Sequence, residues 1–182
     1  MPPPRAARPE SPSPAFLRRF FRRDRFAAAA GVKLVEVRPG YARARLEVAA
    51  HHLNGVDVVQ GGAVFTLADF AFAVACNTHG PVALAIDVGI SFLRPTTEGV
   101  LIAEASEVSR TSRLSRVEVE VRDGHGQLVA LFHGTAFVTK EVLAEVATRP
   151  RPVPGARRAP QGGRTRRAAA QAARKIEARR AR

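Results

Sequence analysis

The chain has 182 residues, 46% of them hydrophobic, and a formal net charge of +13. This length predicts a single domain, and one cysteine excludes a disulfide scaffold within the chain. The positive charge lies at the ends: residues 1–25 are net +5 and residues 145–182 are net +10, whereas residues 26–144 are net −2. The pattern argues against a basic binding face on the core and places any affinity for polyanions in the tails.

The N-terminal residues 1–14 are rich in proline, lack the apolar core of a signal peptide and are predicted to be disordered. The longest apolar run covers residues 62–77 and has a charge at its centre, so no membrane span is expected. The single Cys76 falls in this run and is predicted to be a small buried hydrophobe rather than a nucleophile. We therefore expect a cytoplasmic protein.

The first regular elements are expected between residues 15 and 48. An amphipathic pattern predicts a helix over residues 15–30, with an apolar stripe of Phe and Leu and arginines on the other side. Packing of this helix on the domain is favoured over binding to a membrane surface. Two strands are predicted at 33–38 and 41–48, joined by a turn at Pro39-Gly40.

A long apolar helix over residues 62–77 follows, and then four strands. The strands are expected at residues 82–92, 101–110, 115–122 and 128–139. The first of them is apolar enough to be covered on both faces, and short links between them favour antiparallel pairing. An apolar helix between groups of strands must be wrapped by the sheet, which predicts an α+β fold with a curved antiparallel sheet around one central helix.

From about residue 145 the periodic pattern ends. Prolines give way to an Ala/Arg-rich stretch with almost no large apolar residues, typical of a solvated or marginally helical tail. The predicted organisation is a disordered segment over 1–14, a folded domain over 15–144 and a basic, disordered tail over 145–182.

Asp69 is the only charged residue in the apolar helix. A carboxylate in such surroundings is costly unless it is hydrogen-bonded, paired or used, and burial raises its pKa. Just upstream, Gln60-Gly61-Gly62 lets backbone N–H groups approach a ligand where the helix begins. Together these features predict an acyl-transfer site. The alternatives are a carboxylate held by a neighbouring strand or a partner chain, and glycines that only make a tight turn.

The spacing of these residues also bears on assembly. Asp69 follows Gly61 by eight residues, which is about 12 Å along a helix axis. One subunit cannot bring the two groups together, so the spacing favours a dimer. No metal site is expected, because the five histidines show no metal-ligand spacing and His51 and His52 would point apart in an extended loop.

Several motifs then suggest a family. They are His52-Leu-Asn-Gly55, Gln60-Gly61-Gly62, Phe65-Thr-Leu-Ala-Asp69, Ala75-Cys-Asn77 and Ser91-Phe-Leu-Arg-Pro95. With these motifs, residues 15–140 resemble the hotdog-fold thioesterases, closest to the PaaI-like hydroxyphenylacetyl-CoA thioesterases. The resemblance implies a hotdog fold, small or aromatic acyl-CoA substrates as in phenylacetate degradation, and no cofactor. It also implies a homodimer, often paired into a homotetramer, with active sites at the subunit interface.

The resemblance also assigns roles. Asp69 matches the catalytic carboxylate, a general base or nucleophile, and Gly61 the residue whose N–H polarises the thioester carbonyl. Asn54 matches an asparagine that places water or substrate, although an Asn-Gly turn is the alternative reading. Gln60 departs from the family's histidine but can still hydrogen-bond a carbonyl or fix the loop. Ala85 stands where the family often has a hydroxyl that helps to place water.

Coenzyme A phosphates require cations. Arg110 and Arg113 flank a predicted turn between two strands and could meet these phosphates at a subunit edge. Arg94, before Pro95, is a third candidate. The alternatives are a solvated hairpin for the first pair and a structural role for Arg94.

The first functional hypothesis is an acyl-CoA thioesterase. A non-catalytic acyl-CoA-binding hotdog protein is the alternative, because of Gln60 and Ala85. A third hypothesis is association with nucleic acid or membrane through the arginine-rich tails, which could not specify a nucleic-acid sequence. A hotdog dehydratase is disfavoured, since no histidine lies on the central helix or suitably in the loop before it.

Overall fold

The computed structural model describes residues 11–150, and the predictions for residues 1–10 and 151–182 lie outside this range. Four α-helices, six strands and a short 3₁₀ helix (Ala50–His52) form in this part of the chain. In order they are α1 (Pro14–Phe21), α2 (Arg25–Ala29), β1 (Lys33–Arg38), β2 (Tyr41–Glu47), α3 (Gly61–Cys76), β3 (Pro81–Phe92), β4 (Val100–Arg110), β5 (Leu114–Arg122), β6 (Leu128–Val142) and α4 (Leu143–Thr148). None of these helices is both long and apolar enough to cross a bilayer.

The six strands form one antiparallel sheet in the order β1-β2-β4-β5-β6-β3. The predicted hairpin between β1 and β2 is present, and Gly40 takes the positive φ of +69° that its turn requires. The sheet packs its inner face on α3. This confirms the predicted α+β architecture of a curved antiparallel sheet around one central helix.

The core lies between α3 and the middle of the sheet. Leu67, Ala68 and Ala71 of α3 are fully buried. The facing strands supply small side chains as well as larger ones, which lets the helix approach the sheet closely. The strand residues with no exposed surface are Ala42, Ala44, Leu46, Leu101, Ala103, Ala105, Ser115, Val117, Val121, Ala130 and Ala136.

Two buried polar residues fix the C-terminal end of α3. Asn77 donates to the carbonyl oxygens of Ala73 and Ala83, at 2.9 and 3.0 Å, and accepts from the Ala83 N–H at 2.9 Å. Thr78 accepts from the N–H of Gly40 at 2.9 Å. The helix is thereby tied to β3 on one side and to the β1–β2 hairpin on the other.

Two helical segments differ from the prediction. The single helix expected over residues 15–30 is two helices, because Asp24 accepts from the N–H of Ala27 at 3.0 Å and starts a new helix as its N-cap. At the other end, α4 continues regular structure to Thr148, past the predicted boundary at residue 144.

Strand β3 was expected to be covered on both faces, and among residues 11–150 that prediction is wrong. In this range it is an edge strand whose partner is β6. Leu84, Ile86 and Phe92 are 60%, 62% and 54% exposed. The strand has 12 residues, and a long apolar edge of this kind is normally covered by another chain or element.

Gly134 on β6 gives a test of the core. A Cβ at this position would lie 2.6 Å from the ring of Phe72, which is itself buried, so the ring would have to move. We expect Gly134→Ala to lower the free energy of unfolding by about 1–3 kcal/mol, measured by chemical denaturation. Gly124→Ala is the control, because its nearest neighbour is at 3.9 Å. Equal stability of both variants and the wild type would contradict this packing.

Candidate active site

One stripe of α3 is left open by the chain's own sheet. Gly62, Thr66, Asp69 and Ala73 all retain solvent-accessible surface and follow one another at spacings of four, three and four residues. These spacings place them on one face of the helix. The sheet therefore packs on the rest of the helix surface and leaves this stripe accessible.

Asp69 lies in the middle of the open stripe. Its carboxylate has no hydrogen-bond or ion-pair partner among residues 11–150. Its pKa is raised above the ordinary aspartate value, first by burial and then by the negative charge of Asp24. Neither a neighbouring strand nor a cation of the described chain neutralises it, so the carboxylate is free to act on a ligand.

The N-terminus of α3 presents a free amide. Gln60 is the N-cap, and its side-chain oxygen accepts from the N–H of Gly62. Its main-chain oxygen accepts from the N–H of Ala63 at 2.8 Å. Within the described range the N–H of Gly61 has no acceptor. Gly61 therefore presents a donor at the positive end of the helix dipole, whereas the Gln60 amide oxygen is used to cap the helix.

Asn54 organises the loop before α3. Its side-chain oxygen accepts from the N–H groups of Val56 and Val58, at 3.0 and 3.2 Å. These contacts are those of a turn residue, which was the alternative reading of Asn54. The oxygen is thus committed to the loop, and the exposed side chain has only its NH₂ group left for a ligand.

The two adjacent histidines were predicted to point apart in an extended loop, and this is wrong. They lie in a short 3₁₀ helix with ring centroids 3.9 Å apart. His52 is buried, and its Nδ1 accepts from the N–H of Ala49 at 2.9 Å. The Nε2 therefore carries the proton and donates to the carbonyl of Ala30 at 2.9 Å. Sequence reasoning missed this anchor between the loop and the end of α2.

A cleft of about 330 Å³ adjoins Gly61. A Cβ on Gly61 would lie 3.1 Å from the ring of Phe92, so this exposed ring lies directly beside the glycine. Arg94 also lines the cleft. Phe70 and Phe72 of α3 differ from Phe92, since both are buried in the core.

The remaining predicted cations lie elsewhere. Arg110 donates to Glu107 at 2.9 Å and to the carbonyl of Cys76 at 3.1 Å, at the opposite end of α3 from Gly61. Arg113 is exposed and lies over the ring of Phe137, at 5.7 Å. Of the three predicted cations, Arg94 is the one that lines the cleft at Gly61.

Glu107 is the centre of a buried network around Arg110. It also accepts from Ser115 at 2.5 Å and contacts His79 Nε2 at 2.7 Å. Burial by itself would raise the pKa of Glu107, but the hydrogen bonds from Ser115 and Arg110 and the charge of His79 hold it below the usual value. The network identifies Arg110 as a structural cation.

Two further predictions concern Cys76 and Ala85. Cys76 is buried, as expected, and burial raises the pKa of its thiol to about 11, which keeps it protonated and unreactive. Ala85 is exposed on β3 opposite Ala136, and its methyl group offers no hydrogen bond to a water.

Across residues 11–150, no three His, Cys, Asp or Glu side chains are grouped so that they could hold a metal ion.

Comparisons with known proteins agree with this geometry. The thioesterase superfamily matches residues 57–130, from the loop before α3 into β6. The acyl-coenzyme A thioesterase PaaI of Escherichia coli is 35% identical over 115 residues, covering 63% of this chain and 82% of that protein.

Solved structures show the same fold. The E. coli PaaI structure superposes with a TM-score of 0.66 at 32% identity, covering 68% of this chain and 91% of the other. A variant of the phenylacetic acid degradation protein PaaI from Thermus thermophilus gives 0.60 at 40% identity, covering 63% and 98%. The chain therefore belongs to the thioesterase superfamily, as a hotdog-fold thioester hydrolase of the PaaI-like group.

Proposed function

We propose that this protein hydrolyses acyl-CoA thioesters with small or aromatic acyl groups to the free acid and coenzyme A. The observation that carries the proposal is the unpaired, partly buried Asp69 on the open stripe of the helix whose first amide, at Gly61, is also free. Among such substrates we favour phenylacetyl-type thioesters, because the PaaI relatives are described as proteins of phenylacetic acid degradation. We also propose that the protein acts in the cytoplasm.

The proposal requires two copies of the chain. Asp69 and Gly61 of one copy are about 12 Å apart along α3, too far to act on one carbonyl. The open edge of β3 supports the pairing of two copies through this strand, which would cover its exposed apolar side chains. Each active site then combines Gly61 of one subunit with Asp69 of the partner subunit. We propose a homodimer on this basis, with pairing of two dimers into a homotetramer.

The proposed chemistry depends on two groups, the N–H of Gly61 and the carboxylate of Asp69. The Gly61 N–H and the helix dipole stabilise the negative charge that develops on the thioester oxygen. The carboxylate of Asp69 takes a proton from water as the water oxygen bonds to the carbonyl carbon, or it attacks that carbon itself. The C–S bond then breaks, and the sulfur leaves as the thiol of coenzyme A after taking up a proton. Where Asp69 attacks the carbon itself, the acyl group stays on its carboxylate as a mixed anhydride, which water then hydrolyses to the free acid. Water is the only co-reactant in both routes. No cofactor is required.

Arg94 is the proposed contact for the coenzyme A phosphates, because it lines the cleft that begins at Gly61. The coenzyme A arm would run past Phe92 toward solvent. Arg113 is exposed and stays a candidate for the phosphates, whereas Arg110 is engaged by Glu107.

For Asn54 we propose that its NH₂ group helps to hold water or substrate. Gln60 acts by fixing the glycine turn.

A non-catalytic acyl-CoA-binding protein is the second candidate. Two observations favour it: the Gln60 amide oxygen is used up by helix capping, and Ala85 supplies no hydroxyl for water. The two candidates differ in whether Asp69 is needed for turnover or only lies near the ligand.

Replacing the carboxylate separates the two candidates. We expect Asp69→Asn to lower kcat/KM for phenylacetyl-CoA by about 10²–10⁴-fold, measured by release of free thiol. Its Tm should equal or exceed that of the wild type, because the substitution removes a partly buried, unpaired charge. If the wild type and Asp69→Asn both release thiol from acetyl-, hexanoyl- and phenylacetyl-CoA only at the uncatalysed rate, the non-catalytic acyl-CoA-binding protein is favoured instead.

The charge of Asp24 provides a second test. Asp24 raises the pKa of Asp69, and Asp69 must be ionised to act, so activity should fall as the pH drops through this raised pKa. Asp24→Asn removes the neighbouring charge while Asn can still cap α2. We expect the acid limb of the kcat/KM profile to move to lower pH. Glu118→Gln, an exposed change on β5, is the control, and an unmoved limb in Asp24→Asn would refute the coupling.

A further inference from the structure

We infer that the outward side of the two N-terminal helices docks on an anionic lipid surface. This side, called here the N-terminal basic surface, is formed by Arg19, Arg22, Arg25 and Phe26, and all four residues are exposed. They precede the matched thioesterase region, residues 57–130. The inference is independent of the proposed hydrolysis, because it involves neither the carboxylate of α3 nor the cleft at its N-terminus.

The cations of the N-terminal basic surface are not neutralised by the described part of the chain. Residues 11–35 contain six cationic side chains and a single acidic one, that of Asp24. Within residues 11–150, Arg19, Arg22 and Arg25 have no ion-pair partner. Four arginines of the sheet differ, since each pairs with a glutamate. These pairs are Arg38–Glu36, Arg43–Glu104, Arg45–Glu47 and Arg122–Glu120. Three uncompensated positive charges on one surface call for an anionic partner.

Phe26 places an apolar ring among these cations. The residue is 75% exposed, whereas the three phenylalanines of α1 pack against the core. Arg25 precedes it directly, and Ala29, also exposed, follows by three residues on the same side of α2. A ring with arginines beside it matches the interface of a bilayer, where the ring enters the boundary of the acyl chains and the cations meet the headgroup phosphates.

The geometry favours a lipid surface over a nucleic acid. Proteins that bind single strands present several aromatic rings along a positively charged groove, so that successive bases stack on them. Two rings of α1 are already covered by cations: Arg19 lies over Phe16 at 5.6 Å and Arg23 over Phe20 at 5.5 Å. Phe26 therefore projects alone from a helix of five residues, which fits insertion between headgroups better than stacking of a strand.

The N-terminal basic surface is fixed to the domain before any partner binds. Leu17 of α1 is buried, and Arg18 donates to the carbonyls of Leu34 and Val35 in β1 at 3.1 and 2.7 Å. The helix therefore keeps its packing on the domain, as the sequence predicted, and turns its other side to the lipid. Because no helix has to be released, docking costs little conformational entropy.

The helix that precedes the basic C-terminal segment lies beside α1. Arg23, which follows α1, donates to the carbonyl of Ala147 in α4 at 2.8 Å. The sequence continues after α4 with residues 151–182, which contain eleven cationic side chains and one acidic side chain. Because this segment is joined to α4, its positive charge adds to that of the N-terminal basic surface at an anionic bilayer.

The test measures co-sedimentation of the full chain with lipid vesicles. One set of vesicles contains phosphatidylglycerol and phosphatidylcholine in equal parts, and the other contains phosphatidylcholine alone. We expect binding to the anionic vesicles that weakens as sodium chloride is added, and an affinity for the neutral vesicles that is lower by about tenfold or more. Absence of binding to the anionic vesicles would overturn the inference.

Two triple variants with the same net charge locate the cationic contact. In the first, Arg19, Arg22 and Arg25 are replaced by Gln, and we expect the affinity for anionic vesicles to fall about 100-fold. The second is the matched control and changes paired arginines of the sheet to Gln. These are Arg38, Arg45 and Arg122. Equal affinities of the two variants would overturn the inference, because binding would then come from the C-terminal cations alone.

Phe26 is tested against Val56, a loop residue that is 76% exposed. We expect Phe26→Ser to weaken vesicle binding about fivefold and Val56→Ser to leave it unchanged. The chain contains no tryptophan, so Phe26→Trp also provides a single fluorescent reporter. Its emission should move to shorter wavelength with anionic vesicles, whereas that of Val56→Trp should not.

Two further outcomes would contradict the assignment. If the emission of Phe26→Trp is the same with and without vesicles, the ring does not enter the bilayer. If the wild type binds a single-stranded DNA of mixed sequence but not the anionic vesicles, the N-terminal basic surface belongs to a nucleic acid instead. Circular dichroism spectra of all variants should match that of the wild type, since every substituted side chain lies at the surface.

Discussion

The central constraint on this molecule is the covering of α3, a helix that is apolar over almost its whole surface and carries one carboxylate. The sheet buries the side formed by residues such as Leu67 and Ala71, and it does so with small side chains that bring helix and strands close. The opposite stripe, with Asp69 at its centre, is not covered by the part of the chain that the structure describes. A carboxylate at such a place lowers stability, so its presence is best explained by use.

Polar residues divide into two groups by what they contact. Asn77, Thr78, His52 and Glu107 are buried or nearly so, and each has its hydrogen bonds satisfied by the chain itself. They fix the ends of α3 and the loops around it. Asp69 and the Gly61 amide differ, since neither has a partner in the described residues. Unsatisfied groups on a rigid frame are what an active site requires.

The sequence predicted the central helix and the order of the strands because their periodicities are strong and uninterrupted. It also selected Asp69 and Gly61, since a lone charge in an apolar helix and a Gly pair before it are local signals. The break at Asp24 was missed, because capping depends on one side chain that fits either a helix interior or an N-cap. The engagement of Arg110 was equally invisible, since its bond to the Cys76 carbonyl joins β4 to the end of α3 and holds its guanidinium beside Glu107 of the same strand.

The contact of Arg18 with β1 has a consequence for self-association. A sheet has two margins at which further strands can be added, and here they are β1 and β3. Arg18 occupies main-chain carbonyls of β1, and α1 lies against this strand. These contacts oppose the addition of a strand at that margin, so the pairing proposed at β3 would join two copies and would not extend into a fibre. In that arrangement a guanidinium on a short helix limits polymerisation of the sheet.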